Sequence, residues 1–294
     1  MKRIGMIGVG LMGHGIATNV AKHGYPLTLL EHPGNQPLDA LREAGATSTP
    51  DAAALAGAVD VLILCVTGSP QVEDVLFNHG VLAALKPGTV VIDCSTAIPS
   101  STLKIAEAVQ KTGARFLDAP MTRTPKEAAE GRLNLIVGGD RALFDECRPL
   151  LASFAENIVY AGPVSSGHRL KLLHNFVSLG FSAVLAEAAA CANRAGVDPS
   201  VLVNVLASGG GDGVVLARLR PFIESGDSSG FRFSLSNALK DMSYYVAMTG
   251  EVGASNDAAS AVKHVYEHAV AEGGPNAPVP ELVALLAGQT AKAG

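Results

Sequence analysis

The sequence has little charge and no excess of positive charge. Of its 294 residues only 17% are charged, and the formal net charge is −5. A protein that binds nucleic acid or an anionic membrane through a general positive field needs the opposite balance, so we expect neither partner. Because 48% of the residues are apolar, the chain can bury enough side chain to fold compactly.

Closely spaced metal ligands are also missing. The four cysteines are scattered and form no CxxC pair, which argues against a zinc or redox site and favours small buried side chains. The eight histidines include one i, i+4 pair, His264 and His268, without an HExxH motif. The sequence therefore predicts no metal site, and most of the histidines are expected on the surface or in a cleft.

No long apolar run is free of polar residues. The longest, Leu170 to Ala192, is interrupted by Lys171 and Glu187 among others, which favours a buried helix over a membrane span. Residues 1–8 begin with a strand-like pattern and lack the charge, apolar core and cleavage order of a secretory signal. We therefore expect a cytoplasmic protein.

Up to about residue 163, short apolar runs alternate with alanine-rich helical stretches. Runs that are apolar on both faces are typical of parallel strands covered by helices. After this point one long periodic segment, from about Ser165 to Arg194, begins a helical remainder. The sequence thus predicts an α/β fold, with a doubly wound parallel sheet over residues 1–163 and an all-helical domain over residues 164–294. The predicted strands are Arg3–Gly8, Pro26–Glu31, Val59–Val66, Val90–Cys94, Arg115–Ala119 and Leu133–Gly138.

A glycine motif follows the first predicted strand directly. Residues 8–13 read GVGLMG, and a helical run from His14 to His23 comes next. In a GxGxxG motif at this position, the glycines permit a tight turn, close approach of a pyrophosphate, and close packing of helix on strand. The phosphates then lie at the helix N-terminus, where unpaired N–H groups favour an anion. The predicted cofactor-binding residues here are Gly8, Gly10, Leu11, Met12 and Gly13.

The second predicted strand ends in an acidic residue, Glu31. A carboxylate there can accept hydrogen bonds from both hydroxyls of the adenosine ribose, whereas it would repel a 2′-phosphate. The residues that follow directly, His32 to Asn35, include no arginine. This pattern favours NAD over NADP, although His32 leaves NADP possible; the alternative is that Glu31 is a solvated strand end.

Five segments together resemble the β-hydroxyacid dehydrogenases, which include 3-hydroxyisobutyrate dehydrogenases and tartronate semialdehyde reductases. The resemblance covers nearly the whole chain and implies a Rossmann domain joined by a long helix to a helical domain for substrate binding and oligomerisation, with the active site in the cleft. It also implies a homodimer or homotetramer. The segments are the glycine motif extended as GVGLMGHGIATNVAKHG, Asp93–Thr96 before Pro99, Asp118–Pro120, Gly167–Asn175 and Leu239–Met242.

Four polar residues lie on one face of the long predicted helix. Lys171, His174, Asn175 and Ser178 are spaced i, i+3, i+4 and i+7 and form a polar stripe on an otherwise apolar element. A charged group on an apolar helix face costs free energy unless it pairs with an opposite charge or serves a function. The stripe is therefore expected to face a cleft. Desolvation beside a cationic nicotinamide would lower the pKa of Lys171 toward neutral pH, where it can exchange a proton. Snorkelling from a helix end is the alternative for Lys171.

The resemblance assigns roles to these and other residues. Lys171 is implied as the general acid/base, and Asn175 as a donor to the substrate oxygen, unless it caps or bridges a loop. Lys240 is implied to reach the cofactor, unless it is a surface charge. The resemblance implies that Ser95 and Thr96 lie near the nicotinamide and its ribose, and Val66 and Thr67 are also predicted to bind the cofactor. Ser95 and Thr96 also suit a helix N-cap.

The substrate loop departs from the family pattern DAPVSGG and reads DAPMTRT here. Thr122 keeps the hydroxyl, while Arg123 replaces a glycine and adds a guanidinium suited to a carboxylate, phosphate or sulfonate. His174 stands where the family commonly has asparagine and can also donate to an anion. We predict Thr122, Arg123, His174 and Ser178 as substrate-binding residues. The alternative for Arg123 is a surface salt bridge to Glu127 or Glu130.

The expected function is hydride transfer between NAD(H) and a small anionic 3-hydroxy acid or its semialdehyde. The arginine in the loop resembles the 3-sulfolactaldehyde reductase branch, although Thr122 and His174 depart from it. A basic grouping of Arg123, Lys126, Arg132 and Arg169 supports an anionic substrate in either case. A non-catalytic scaffold and the imine reductases usually lack the lysine that aligns with Lys171, and 6-phosphogluconate dehydrogenases run longer.

Overall fold

The structure is a computed structural model that describes residues 1–288. The chain folds into two compact units, which divide between Lys171 and Leu172. This division lies inside one long helix, which begins at Ser166, three residues after the predicted domain boundary.

The first unit is built around a nine-stranded sheet. Its strands, in chain order, are β1 (Ile4–Ile7), β2 (Leu27–Leu30), β3 (Thr47–Thr49), β4 (Val61–Leu64), β5 (Val90–Asp93), β6 (Arg115–Asp118), β7 (Met121–Thr122), β8 (Leu133–Gly139) and β9 (Ala155–Gly162). The spatial order is β3-β2-β1-β4-β5-β6-β8-β7, and β9 pairs with β8. Strand order reverses beside β1, and the crevice outside the carboxyl ends of the strands at such a point is where open α/β sheets bind ligands.

The doubly wound prediction is confirmed, but the sheet is not parallel throughout. The six strands from β3 to β6 are parallel, whereas β8 runs antiparallel to both β6 and β7. The strands predicted from the sequence did not include β3, β7 or β9. The first two have only three and two residues, and β9 has exposed residues along much of its length, so none forms the continuous apolar run of a covered strand.

Helices cover both faces of the sheet. They are α1 (Leu11–Lys22), α2 (Asp39–Glu43), α3 (Ala52–Ala58), α4 (Ser69–Asn78), α5 (Val81–Ala84), α6 (Pro99–Lys111), α7 (Pro125–Ala129) and α8 (Arg141–Leu151). Alternate side chains of a strand enter opposite cores, as in β4, where Val61 and Ile63 face one core while Leu62 and Leu64 face the other. This two-sided burial explains why the central strands are apolar at every position.

The second unit is helical. Its elements are the greater part of α9 (Ser166–Arg194), then α10 (Pro199–Ala207), α11 (Val214–Ser225), α12 (Leu235–Val252), α13 (Asp257–Gly273), a 3₁₀ turn (Val279–Glu281) and α14 (Leu282–Leu286). The predicted long helix is confirmed almost to the residue. By length and composition α9 could cross a membrane, a criterion that buried core helices also meet. Inside this unit the buried Tyr266 hydroxyl of α13 donates to the Leu179 carbonyl of α9 at 2.9 Å.

The cysteines are free thiols. Cys94 and Cys147 are buried and Cys65 is half-buried, as expected of small apolar side chains, whereas Cys191 is exposed. Burial raises the pKa of Cys65 to about 12, and the charge of Asp93 adds to the shift. His264 and His268 lie on the exposed face of α13, as the sequence predicted.

Candidate active site

Two glycines of the motif are required by the fold itself. Gly8 has a φ of +94°, and a Cβ there would lie 2.2 Å from the carbonyl oxygen of Cys65. A Cβ on Gly13 would lie 2.0 Å from the carbonyl oxygen of Gly8. Both contacts are to backbone, which cannot move aside, so these glycines create the tight turn and the close approach of α1 to β1.

Gly10 differs from these two glycines, because a side chain at this position would not clash with any neighbouring atom. Its φ of −76° suits any residue, and the nearest atom to a Cβ built there is the Gly34 carbonyl oxygen at 4.0 Å. Gly10 is the N-cap of α1, so the open space lies at a helix N-terminus, beside backbone N–H groups. Leu11 begins the helix with its side chain exposed, and Met12 packs on the core. The turn therefore fits the pyrophosphate of a dinucleotide.

A cavity of about 410 Å³ adjoins the end of β2. Its lining is Glu31, His32, Pro33, Asn35, Gln36, Leu38 and Arg42. Asn35 connects this cavity to the glycine turn, since its Oδ1 accepts from the Val9 N–H at 3.1 Å and its Nδ2 donates to the Leu30 carbonyl at 2.9 Å. The structure thus brings the predicted pyrophosphate and ribose residues together.

Glu31 is not a lone carboxylate. Its Oε1 accepts from Ser48 Oγ at 2.7 Å and from Arg42 Nη2 at 3.0 Å. The Ser48 hydrogen bond, helped by the charge and hydrogen bond of Arg42, lowers the pKa of Glu31. The arginine that pairs with Glu31 lies eleven positions further along the chain, outside the segment His32 to Asn35, and its side chain reaches the carboxylate from α2.

The carboxyl ends of β4 and β5 bring two predicted cofactor segments together. Ser95 Oγ accepts from the Val66 N–H at 3.1 Å, and the Ser95 N–H donates to Asp93 Oδ1 at 2.9 Å. Ser95 is buried and Thr96 is half-buried. The alternative that they cap a helix is wrong, because α6 begins at Pro99 with Ile98 as its N-cap.

A buried polar cluster that the sequence analysis missed attaches the start of α9 to this region. Asp118 accepts from the N–H groups of Ser165 at 2.8 Å and His168 at 2.9 Å. The His168 ring donates from Nε2 to the Ser95 carbonyl at 3.1 Å, and its Nδ1 lies 2.7 Å from Thr102 Oγ1. His168 is therefore a fully buried anchor, one helical turn before Lys171. The available signal was an aspartate ending each of two successive strands, whose carboxyl ends meet at one sheet edge.

Burial also changes the ionisation of this cluster. Burial raises the pKa of Asp93, and the nearby charge of His168, 4.0 Å from Asp93 Oδ2, opposes the shift. Asp93 Oδ2 has no hydrogen-bond partner among the described residues. Since a buried carboxylate oxygen without a hydrogen bond is costly, the histidine beside Oδ2 compensates part of that cost, while Oδ1 keeps its hydrogen bond from the Ser95 N–H.

Ser165 gives a test of backbone strain at this junction. It is buried with a φ of +74°, and its Oγ has no hydrogen-bond partner in residues 1–288. Replacing Ser165 by glycine is expected to raise the free energy of unfolding by about 1 kcal/mol, since glycine adopts this φ without steric cost. Chemical denaturation measures the change. Ser165→Ala is the matched control, because it removes the hydroxyl but keeps the strain; equal stability of the two variants would contradict the argument.

The polar stripe of α9 contacts α12 within the second unit. Asn175 Nδ2 donates to Asp241 Oδ2 at 2.6 Å, and His174 Nδ1 donates to Asn175 Oδ1 at 2.9 Å. Asn175 and Asp241 are both buried. The carboxylate therefore orients the amide and accepts from one of its two N–H groups, so Asn175 bridges α9 and α12.

The remaining predicted residues of this region lie on the same two helices. Lys240 Nζ is 3.2 Å from Asp241 Oδ1, and Phe176 stacks on Tyr245 with ring centroids 4.3 Å apart. Lys171 and Ser178 are half-buried on α9. The contact of Asp241 with Asn175 was not predicted from the sequence, where Asp241 is only one residue of the Leu239–Met242 motif, because the contact requires the packing of α12 on α9.

The substrate loop keeps a glycine-like conformation at Arg123, whose φ is +82°. Its Nη1 donates to the Glu156 carboxylate and to the Arg132 carbonyl. An ion pair therefore exists, but the predicted partners Glu127 and Glu130 were wrong. Thr122 Oγ1 accepts from Asn134 Nδ2 at 3.1 Å, across the β7–β8 pair.

The expected basic grouping is offset by neighbouring acids. Arg132 pairs with Glu130, and Glu127 accepts from the Thr124 N–H at the start of α7. Together with Glu156, these carboxylates place negative charge next to the cations, so the grouping is not an isolated positive patch. In the described part of the chain no three His, Cys, Asp or Glu side chains are placed to hold a metal ion.

A sheet of this order, with a glycine turn shaped for a pyrophosphate and an acid at the end of β2, is typical of a protein that binds a dinucleotide. Comparison with known families gives the particular group. Residues 3–162 match the NAD-binding domain of 6-phosphogluconate dehydrogenase. Residues 165–286 match the NAD-binding domain of NADP-dependent 3-hydroxyisobutyrate dehydrogenase. The chain belongs to the β-hydroxyacid dehydrogenase family.

Individual relatives agree with this assignment. The chain is 34% identical to the NAD-dependent L-serine dehydrogenase of Pseudomonas aeruginosa over 76% of this chain and 74% of that protein. It is 31% identical to the 2-(hydroxymethyl)glutarate dehydrogenase of Eubacterium barkeri over 82% and 80% of the two chains. The crystal structure of 3-hydroxyisobutyrate dehydrogenase from Salmonella typhimurium superposes with a TM-score of 0.85 at 26% identity, covering 96% and 99%. The chain is thus a hydroxyacid dehydrogenase with NAD(P) as cofactor.

Proposed function

We propose that this protein transfers a hydride between NAD(H) and a small anionic 3-hydroxy acid or its semialdehyde, with Lys171 as general acid/base. The polar stripe of α9 carries the proposal, because it sets a lysine one turn from an asparagine whose amide is oriented by Asp241. The substrates named for the three relatives support it. L-serine, 2-(hydroxymethyl)glutarate and 3-hydroxyisobutyrate all have a primary alcohol on the carbon beta to a carboxylate.

In this proposal the chain's own residues manage the proton. When bound, the nicotinamide would supply the acceptor for the hydride of the alcohol carbon and, in the reverse direction, the hydride donor for the aldehyde carbon. Lys171 as a neutral amine takes the hydroxyl proton at Nζ, and as an ammonium it returns that proton to the carbonyl oxygen. Asn175 donates its second N–H to the same oxygen and holds it toward Lys171.

In this proposal the cofactor is held by the glycine turn, by Glu31 and by the segments that follow β4 and β5. The turn of residues 8–13 holds the pyrophosphate, and Glu31 accepts from the ribose hydroxyls. Val66, Thr67, Ser95 and Thr96 would contact the bound cofactor, with Ser95 and Thr96 toward its nicotinamide end, and the family resemblance adds Lys240 to the cofactor-binding residues. Glu31 is a carboxylate at neutral pH and repels a 2′-phosphate, which supports NAD as the preferred cofactor.

The substrate acid group is placed on Arg123, Thr122, His174 and Ser178 in the same proposal. Replacing Arg123 by alanine is expected to raise KM about tenfold or more with kcat changed less than about threefold, because a charge-assisted hydrogen bond to the acid is lost. Arg123→Gly should show the same KM but unfold at a free energy about 1 kcal/mol higher than Arg123→Ala, since φ is positive there. Glu156→Gln, which removes only the ion-pair partner, is the control. An unchanged KM in both Arg123 variants would remove Arg123 from the substrate site.

The first experiment follows nicotinamide absorbance while purified protein meets a panel of alcohols with NAD, then with NADP. The panel contains 3-hydroxyisobutyrate, L-serine, 2-(hydroxymethyl)glutarate, D-glycerate, L-threonate and 2,3-dihydroxypropane-1-sulfonate. Turnover of a carboxylate supports the proposal, whereas turnover of the sulfonate alone would favour the 3-sulfolactaldehyde reductase alternative. Binding of NADH with no turnover of any compound in the panel would favour a non-catalytic scaffold.

The proposal extends to the state of the protein in the cell. We propose a cytoplasmic homodimer or homotetramer, as the family resemblance implies. Light scattering after size-exclusion chromatography measures the mass, and a monomer at micromolar concentration would contradict it.

A further inference from the structure

The start of α9 lies directly against the ends of two strands. The Asp118 carboxylate, at the end of β6, accepts from the N–H groups of Ser165 and His168 at 2.8 and 2.9 Å. A Cβ on Gly138 of β8 would lie 2.6 Å from Asp118 Oδ1, and a Cβ on Gly167 would lie 2.8 Å from Asp118 Oδ2. The carboxylate thus occupies the space of two missing side chains, which lets the helix start approach the sheet this closely.

The His168 ring joins this helix start to the segment that follows β5. Its Nε2 donates to the Ser95 carbonyl at 3.1 Å, and its Nδ1 lies 2.7 Å from Thr102 Oγ1 of α6. Ser95 is also held by the hydrogen bond from its N–H to Asp93 and by the one that its hydroxyl accepts from the Val66 N–H. The ring therefore connects two segments that several other hydrogen bonds already fix in place.

These two segments contain residues on both sides of the proposed reaction. Ser95 belongs to the segment that the proposed function places toward the nicotinamide, where the hydride is transferred. Lys171, which is proposed to transfer the proton, lies three positions after His168 on the same face of α9. A misplacement of about 1 Å between reacting groups can lower a rate about 10²-fold, so a buried connection between these segments has a direct use in catalysis.

We propose that His168 is a positioning residue, which holds Lys171 in place relative to the nicotinamide through its hydrogen bond to the Ser95 carbonyl. The inference rests on the proposed function, since it takes Lys171 as the general acid/base. The ring is fully buried, so its effect on the reaction is assigned through Lys171 and Ser95 and not through contact with the substrate.

Two variants that each keep one of the two ring contacts test the proposal. The amide nitrogen of glutamine stands as far along the side chain as His Nε2, and that of asparagine stands as far along as Nδ1. His168→Gln therefore keeps a donor for the Ser95 carbonyl, whereas His168→Asn keeps only the contact with Thr102. We expect kcat within about threefold of the wild-type value for His168→Gln and about 10- to 100-fold lower for His168→Asn. Steady-state kinetics with the best substrate of the panel measures both constants.

Denaturation curves and NADH titrations separate positioning from a loss of folded protein. Each variant removes one buried hydrogen bond, so both should lower the denaturation midpoint by a similar amount. KM and the dissociation constant for NADH should stay within about threefold of the wild-type values in both variants. Because kcat is expressed per NADH-binding site, a purely structural role of the ring would not separate the two variants.

Thr102→Val is the matched control on the other side of the ring. It removes the hydroxyl that lies 2.7 Å from His168 Nδ1 and leaves the hydrogen bond to the Ser95 carbonyl in place. It should lower the denaturation midpoint while kcat stays within about threefold of the wild-type value.

Asp118→Asn serves if His168→Asn does not fold. It keeps the size of the side chain but replaces an acceptor oxygen by an NH₂ group, so one of the two N–H groups at the start of α9 loses its acceptor. We expect kcat about tenfold lower, with the dissociation constant for NADH within about threefold. A wild-type kcat in Asp118→Asn would then contradict the proposal.

The inference is overturned if kcat of His168→Asn is not below that of His168→Gln, or if Thr102→Val loses as much kcat as His168→Asn. A wild-type kcat in Lys171→Ala would instead overturn the proposed general acid/base. Loss of kcat in Lys171→Ala, combined with equal kcat in the two His168 variants, would leave the proposed function intact and reject the positioning role alone.

Discussion

Replacing Lys171 by alanine is expected to lower kcat about 10²- to 10⁴-fold, the range that a positioned general acid/base contributes. In the proposed reaction a proton leaves or joins the substrate oxygen while the hydride is transferred at the neighbouring carbon. Lys171 of the α9 polar stripe is the residue proposed to transfer that proton. KM should change much less than kcat, since the acid group of the substrate is placed on other residues. Steady-state kinetics with the best substrate of the panel measures both constants.

A cofactor titration separates lost chemistry from lost binding in this experiment. Lys171→Ala should bind NADH with a dissociation constant within about threefold of the wild-type value, because the residues proposed for the dinucleotide are untouched. Glu187→Ala is the control, since Glu187 is an exposed charged residue on the same helix to which no role in the site is assigned. If Lys171→Ala kept the wild-type kcat, or if Glu187→Ala lowered kcat as much, the role of Lys171 as general acid/base would be contradicted.

Alanine at Gly10 and alanine at Gly13 are expected to fail for different reasons. Gly13→Ala drives a Cβ to 2.0 Å from the carbonyl oxygen of Gly8, so the fold should lose several kcal/mol of stability, of the order seen for overpacked cores, and cofactor binding with it. Gly10→Ala meets no atom closer than 4.0 Å and has an ordinary φ, so its free energy of unfolding should not fall. Its dissociation constant for NADH should rise about tenfold or more, because the methyl group occupies the pyrophosphate approach.

Denaturation curves and NADH titrations of both variants measure the two quantities independently. Gly34→Ala offers a comparison on the facing loop, where the nearest contact of a new Cβ is the His32 ring at 3.1 Å. If Gly10→Ala destabilised the fold as much as Gly13→Ala, the open space at Gly10 would have a structural use. If Gly10→Ala bound NADH with the wild-type dissociation constant, the pyrophosphate would not lie against Gly10.

The parts of the fold that could be predicted are those encoded by neighbouring residues. The central strands are apolar at each position because helices cover both faces of the sheet. The long helix α9 was predicted from a segment whose helical periodicity continues over almost thirty residues. Short strands such as β7 were not predicted, because a strand of two residues is too short to show an alternation of apolar and polar side chains. The antiparallel direction of β8 depends on which strand it pairs with. Neither property is a feature of the local sequence.

The candidate site divides in the same way. The glycine turn, Glu31 and the polar stripe were found from spacing alone, since a turn and one helix face are determined within a few residues. The contacts of Arg42, His168 and Asp241 were not found. Each is made with a residue on another element, and the His168 ring reaches across 73 positions to the Ser95 carbonyl.

By itself the sequence determined the two-part α/β and helical architecture, the place of the dinucleotide turn and the order of residues along α9. The tertiary structure alone decided that Arg42 faces Glu31, that Arg123 pairs with Glu156, and that His168 is buried beneath Ser95. The physical reason is that periodicity and glycine spacing act through local backbone geometry. The ionic and buried polar contacts, in contrast, depend on strand order and on side-chain directions that only the packed chain defines.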